Sequence, residues 1–368
     1  MASQITNYQC PACTGPLNYS PETGKMACDY CGSVYELAEI EAMYREQNAE
    51  AAEAAEDAEA AEETPWDMSE LESDWGSDAG NMKTYSCPAC TAELICDATT
   101  AATSCPYCGN PTVVPGQFNG ALKPDFVIPF KLDKEAAVAA LKQHYQKRFF
   151  LPKSFTANNQ IEKIQGVYVP FWMFDGEASG SASYKATRSR SFRRGDYKIT
   201  ETSHFAVDRA GSIAFERVPV DASSKMPDGH MDSIEPYDYS ELKPFSMSYL
   251  PGFLAEKFDV SVEESQKRAD ERYRGTLEQE LRATVHGYET VSHLGSSIHL
   301  RRGKVHYALL PVWLLNTKWN GQNFLFAMNG QTGKMVGDLP VDKKKFWGTF
   351  FGIGAGLSVI SSLLILLL

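Results

Sequence analysis

Eight of the nine cysteines fall into two sets that repeat one spacing. Cys10, Cys13, Cys28 and Cys31 form the first set, and Cys87, Cys90, Cys105 and Cys108 the second, each with two residues inside a pair and fourteen between pairs. The flanks repeat too: Tyr8 with Tyr85, Thr14 with Thr91, Leu17 with Leu94, Tyr30 with Tyr107, Gly32 with Gly109. Two thiolates on a tight turn make half of a tetrahedral site, and a glycine after the second cysteine supplies the positive φ that closes the turn. The pattern therefore predicts a four-cysteine zinc ribbon twice over, with one structural Zn2+ ion in each. Iron is the competing metal, and disulfides are the competing chemistry. Four sulfur ligands leave no open coordination position, so no Lewis-acid catalysis is expected at either ion. Cys96 has no counterpart in the first set and reads as a buried or idle thiol. Modules this small cannot fold on apolar burial alone, so metal binding should supply their folding energy.

Binding nucleic acid through such modules requires basic side chains facing phosphates. Lys25 is the only basic residue from Tyr8 to Gly32, and there is none from Tyr85 to Asn110. Protein contact is therefore the expectation for the ribbons, and nucleic acid is not.

The formal charge of −12 is concentrated in one stretch: from Glu36 to Asp78 sixteen acidic residues face the single Arg45. Leu37, Ile40 and Tyr44 share one helical face, after which alanine and glutamate dominate through Glu63. This predicts a solvated or fluctuating helical spacer that ends at Pro65. Trp66, Met68, Leu71 and Trp75 then stand among acids, where they would dock either on a partner groove or on the rest of this chain.

With 368 residues, 43% of them hydrophobic, the chain can bury a sizeable core and holds more than one domain. The expected division is 1–35 first ribbon, 36–83 acidic linker, 84–116 second ribbon, 117–342 an α+β body with an antiparallel sheet, and 343–368 a basic flank with a transmembrane helix. In the body, apolar spacing predicts helices from Asp133 and from Val262, and many short strands separated by glycine turns at Arg194-Gly195-Asp196, Arg302-Gly303-Lys304 and Asn320-Gly321. Residues 167–174 echo residues 308–315, which suggests two related halves. Two basic clusters stand out: Lys185, Arg188, Arg190, Arg193, Arg194 and Lys198, and then Arg301, Arg302 and Lys304. Each would touch anionic headgroups, hold the acidic linker, or simply form solvated turns. No nucleophile elbow or histidine metal pair occurs, and residues 329–334 lack the pattern of a phosphate loop, so no enzyme is expected.

From Phe346 to Leu368 no residue is charged, and Lys343, Lys344 and Lys345 stand just before. As a helix this run would span roughly 34 Å, against a hydrocarbon core of roughly 30 Å. It predicts a single-pass C-terminal anchor in the cell membrane, with the N-terminal body cytoplasmic. No signal peptide is visible from Met1 to Cys10. Gly348, Gly352 and Gly356 recur every fourth residue, a spacing that permits self-association of two such helices in the lipid bilayer.

The ribbons together with Tyr107-Cys108-Gly109-Asn110-Pro111-Thr112, the run from Lys123 to Phe130, Gly166-Val167-Tyr168-Val169-Pro170-Phe171-Trp172, Met231-Asp232-Ser233-Ile234-Glu235-Pro236 and Leu309-Leu310-Pro311-Val312-Trp313 make a longer signature. Over nearly its whole length the chain resembles a family of membrane-anchored double zinc-ribbon proteins of Gram-positive bacteria. Its members are often labelled transcription factor IIB-type zinc ribbons or primosomal helicase-like, although this sequence has no helicase motor. Relatives occur beside flotillin-like and phage-shock-type proteins. The resemblance implies a membrane-anchored scaffold or adaptor that recruits such membrane proteins in an envelope-stress response, with the eight ribbon cysteines as functional residues. The alternatives are a nucleic-acid-binding factor of replication or transcription, and an unrecognised enzyme or thiol-based redox sensor.

Overall fold

In the computed structural model the described residues are 8–13, 15, 17–21, 23–45, 64–71, 75–117, 122–146, 148–158 and 161–367. In chain order the first strands are β1 (Leu17–Ser20), β2 (Lys25–Cys28) and β3 (Val34–Glu36), followed by helical residues 37–45, here α1. The predicted acidic spacer beyond α1, 46–63, lies outside the described residues. Next come β4 (Met82–Ser86), β5 (Glu93–Asp97), β6 (Val114–Gln117), β7 (Phe126–Val127), α2 (Lys134–Gln146) and α3 (Lys153–Asn158). Two long strands follow, β8 (Gln165–Arg194) and β9 (Tyr197–Asp221), and then α4 (Asp228–Ile234), β10 (Lys243–Pro244), β11 (Leu254–Glu256) and α5 (Val262–Ala283). The chain closes with β12 (Thr290–Trp319), β13 (Gln322–Asn329), β14 (Met335–Gly337) and α6 (Lys343–Leu367).

The chain divides into two compact units, the first made of Met1–Asp67, Phe174–Val218 and Gln266–Lys304. In it β1, β2 and β3 form an antiparallel sheet whose Leu17, Met26 and Cys28 bury Ile40 of α1. Elsewhere in this unit α5 follows apolar spacing closely. Ala269, Tyr273, Leu277 and Leu281 recur every fourth residue and are all buried. Tyr273 stacks on Phe215 at 4.2 Å and donates its hydroxyl to the Phe174 carbonyl at 2.9 Å. Trp66, beyond the acidic stretch, packs edge-on against Phe174 and Tyr273 at 4.7 and 5.7 Å, so it docks on the chain's own body. Arg302 is paired with Asp270 at 2.6 Å and Arg301 with Glu177, which neutralises both arginines of the second basic cluster in place.

The glycine at position 303 does not make the predicted turn. It lies inside β12, where a Cβ would fall 2.6 Å from the Asp175 carbonyl oxygen, so its role is close backbone approach. Several short predicted strands accordingly fuse into β8, β9 and β12, while the turns at Gly195 and Asn320-Gly321 form as expected, with φ of 62°, 51° and 78°. Gly180 is a second point of close approach: a Cβ there would stand 2.3 Å from the Ser297 oxygen and 2.8 Å from the Ile298 Cα. Gly180→Ala is expected to destabilise the protein by about 2 kcal/mol, as overpacking does, seen as a lower denaturant midpoint. Gly295→Ala, where nothing lies within 4 Å, should leave the midpoint nearly unchanged.

The second unit comprises Met68–Met173, Pro219–Ser265 and Val305–Leu368. Its strands follow the order β10-β7-β12-β8-β11-β5-β4-β6, with β13 and β14 added beside β12. The expected antiparallel sheet is in fact mixed. β7 runs parallel to β12 (Phe126 opposite Ala308) and β11 parallel to β8 (Leu254 opposite Val167). Residues 166–173 are buried on both faces, and such a continuous apolar run carries no mark of strand direction. Of the echo segments 167–174 and 308–315, all but Phe174 lies in this unit, in the neighbouring strands β8 and β12. Helix α2 buries the predicted Ala137, Leu141 and Tyr145, and Asp133 caps it by accepting from Ala136 N at 2.8 Å. Trp75 packs edge-on against Phe245 at 5.6 Å.

The C-terminal expectation needs correction. Helix α6 forms, capped by Asp342 accepting from Lys345 N at 3.1 Å, but among the described residues no helix is long and apolar enough to cross a membrane. Lysines fill its first turn, and four glycines with Ser358, Ser361 and Ser362 dilute its apolar surface. The single-pass transmembrane anchor, and the cell-membrane placement with a cytoplasmic body that depends on it, are not supported.

Two candidate metal centres

The first centre is held by the turn before β1 and the turn after β2. Cys10 N donates to Gly15 O at 2.7 Å and Gly32 N to Cys28 O at 2.9 Å, with Gly32 at φ 73° as the turn requires. The second centre repeats this: Cys87 N donates to Ala92 O and Gly109 N to Cys105 O, both at 2.9 Å, with Gly109 at φ 70°. In each centre the four Sγ atoms lie within 4.8 Å of one another. The nearest approaches are 3.5 Å for Cys10 with Cys31 and 3.4 Å for Cys13 with Cys28. In the second centre both Cys87 with Cys108 and Cys90 with Cys105 stand at 3.6 Å. Four thiolates about 2.3 Å from a central ion would sit about 3.8 Å apart at the corners of a tetrahedron. All eight predicted ligands are thus brought together in the expected fours, and both donor sets fit one metal ion each.

The surroundings prepare some of these thiols for ionisation. A hydrogen bond with Ser33 brings Cys31 down to about 6. At Cys87 burial opposes ionisation, yet the backbone N–H groups of Cys90 and Ala89 outweigh it and the thiol falls to about 7. Asn110 Nδ2 also points at Cys87 Sγ from 3.9 Å, at the position that Ser33 holds in the first copy. Cys96 is different: burial pushes it up to about 11 and its Sγ meets Thr100 O at 3.3 Å, so it stays a neutral core thiol.

The two copies differ in what surrounds them. The first has its own three-stranded sheet, and Cys13 and Cys31 are exposed. The second is built into the sheet of the second unit, because β5 pairs with β4 on one side and with β11 on the other (Leu94 opposite Glu256). Tyr107, between Cys105 and Cys108, is buried and donates to the Glu256 carboxyl at 2.5 Å, while Ser223 Oγ donates to the other oxygen at 2.8 Å. Asn316 Nδ2 holds the Tyr107 carbonyl at 2.5 Å. Lys225, paired with Asp259 at 2.7 Å, reaches Thr91 Oγ1 at 3.3 Å and places a cation beside a tetrathiolate that keeps net negative charge even with a divalent ion bound. Sequence reasoning missed Glu256, Lys225 and Asn316, none of which stands in a recognisable motif. Asn110 was legible as part of the signature after Cys108.

Along 352 residues, 96% of this chain and 95% of the relative, the sequence is 35% identical to the protein described as uncharacterized protein YdjG of Bacillus subtilis strain 168. The chain belongs to the YdjG family. No family model and no solved structure matches it. The match runs along nearly the whole of both chains.

Proposed function

We propose that the protein is a zinc-ribbon scaffold or adaptor that recruits protein partners, with one structural Zn2+ in each four-cysteine centre. Tetrahedral all-sulfur sets of this size suit zinc, and with four protein ligands each ion would stabilise a fold and take no part in catalysis. The resemblance to zinc-ribbon relatives found beside flotillin-like and phage-shock-type proteins supports partners of that kind in an envelope-stress response.

One observation carries the adaptor reading. Tyr107 of the second module is 5% exposed and anchors it in the body, whereas its repeat equivalent Tyr30 is 79% exposed. The pair Tyr19 and Cys96 behaves alike, at 54% and 0%. The first module therefore presents to solvent the same face by which the second is docked, and a large amphipathic tyrosine there is suited to anchor a partner. Crosslinking of the full chain in its own cells should recover a flotillin-like or phage-shock-type protein. Tyr30→Ala should lower that yield about tenfold, a typical anchor loss, while metal content stays at two ions per chain. Absence of any partner that depends on the first ribbon would sink the reading.

A further inference from the structure

The first basic cluster, unlike the second, is not neutralised in place. It lies at the tip of the hairpin of β8 and β9 in the first unit, where the chain turns at Gly195. Hydroxyl pairs Ser189 with Thr202 at 3.1 Å and Ser191 with Thr200 at 2.8 Å mark one face of the hairpin. Strand alternation then places Arg188, Arg190, Phe192, Arg194, Tyr197 and Phe205 on the other, together with one acid, Glu201, which forms no ion pair with Arg190. On this face cations and rings interleave. The Arg188 guanidinium lies over Phe205 and Tyr288 at 5.8 and 5.6 Å, held by two bonds to the Gly287 carbonyl, and Arg190 lies over Phe192 at 5.8 Å. Phe192 and Tyr197 are exposed, at 39% and 76%. Among the described residues no carboxylate forms an ion pair with Arg190, Arg193, Arg194 or Lys198.

We propose that this face of the hairpin binds single-stranded nucleic acid. Arginines two residues apart on one strand face recur about every 6.8 Å, comparable with the separation of successive phosphates in an extended polynucleotide. Exposed rings between them offer stacking platforms for unpaired bases, and the planar guanidinium groups can stack as well as neutralise. A duplex keeps its base faces hidden and would leave the rings unused. A lipid surface fits less well, because the opposite face carries Ser189, Ser191, Thr200, Thr202, Arg193 and Lys198, and the ring-bearing face interleaves Arg188, Arg190 and Arg194 with its rings and has no continuous apolar surface to insert. The ribbons, which lack basic residues, play no part in this proposal, and it does not rest on the adaptor reading.

The test uses the purified full chain with its metal and a fluorescein-labelled oligothymidylate of about 20 nucleotides, a length that covers several stacking sites. Affinity should fall steeply between about 50 and 200 mM salt. The double variant Arg190→Ala, Arg194→Ala should bind at least about tenfold more weakly and lower the slope of log affinity against log salt by about 1.4, two phosphates at roughly 0.7 each. Phe192→Ala should weaken binding about tenfold while leaving the slope unchanged, the signature of lost stacking. Ser191→Ala, on the opposite face, should change neither. All four side chains are partly or wholly exposed, and metal content with thermal melting confirms that each variant folds. Three outcomes overturn the proposal: no binding of the oligonucleotide, equal affinity for its duplex, or binding only to vesicles of equal parts phosphatidylglycerol and phosphatidylethanolamine.

Discussion

Cys105→Ser is expected to unfold the second unit, while Cys31→Ser is expected to cost only the metal of the first module. Both variants should drop from two bound ions to one by elemental analysis, so metal content alone will not separate them. Thermal melting will. Cys105 is buried, its module donates β5 to a ladder with β11, and the Tyr107 anchor lies two residues along. Structural zinc contributes about 10–16 kcal/mol in small peptides, against a total domain stability of roughly 5–15 kcal/mol, so losing one thiolate there takes away much of what holds this unit. The first module has its own sheet and its own small core around Ile40. Cys31→Ser should therefore leave the main melting transition within a few degrees of the parent. Equal losses of melting temperature in the two variants would refute the distinction.

Glu256→Gln should stabilise the protein at pH 8 and abolish part of its pH dependence. Glu256 is fully buried, and burial pushes its carboxyl up to about 8 against the bonds it accepts from Tyr107 and Ser223. The unfolded chain releases that proton near the ordinary glutamate value of about 4.3. Between these limits the native state holds one more proton than the unfolded state. The contribution is then complete below the unfolded value and is lost as pH rises toward 8, by up to about 1.4 kcal/mol per unit. By pH 8 the difference between parent and Glu256→Gln should have moved in favour of the variant. The quantity to follow is the difference between the two unfolding curves from pH 5 to 8, in which every other titrating group cancels. A flat difference would mean that Glu256 is ionised in the native protein. Glu256→Ala, which leaves the buried Tyr107 and Ser223 hydroxyls without an acceptor, should instead destabilise by about 1–3 kcal/mol at about pH 5 and below, a loss that shrinks as pH rises because the variant carries no buried carboxyl to keep protonated.

The metal centres were legible because their chemistry is local. Cys-x-x-Cys pairs and the glycines at positions 32 and 109 meet the needs of a single turn, and both glycines adopt the required positive φ. Helices α2 and α5 were legible for a similar reason, since Ala137, Leu141 and Tyr145, or Ala269, Tyr273 and Leu277, reveal one buried face. What escaped was set by distant partners. Gly303 resembles a turn residue until Asp175 of a neighbouring strand is known, and parallel pairing of β7 and β11 leaves no trace in their two or three residues. Glu256 reads like any surface acid until its burial is seen. The C-terminal run misleads in the other direction: absence of charge is not sufficient for a membrane span, because its glycines and serines weaken the apolar character that a span requires.

The seating of the second module on β11 also imposes an order of events during translation. Leu254–Glu256 leaves the ribosome about 150 residues after Cys108, which at roughly 5–20 residues per second is a delay of about 7–30 s. Through that interval the carboxyl that accepts from Tyr107 has not been made, so the second module must wait, its tyrosine without the seat it has in the finished fold.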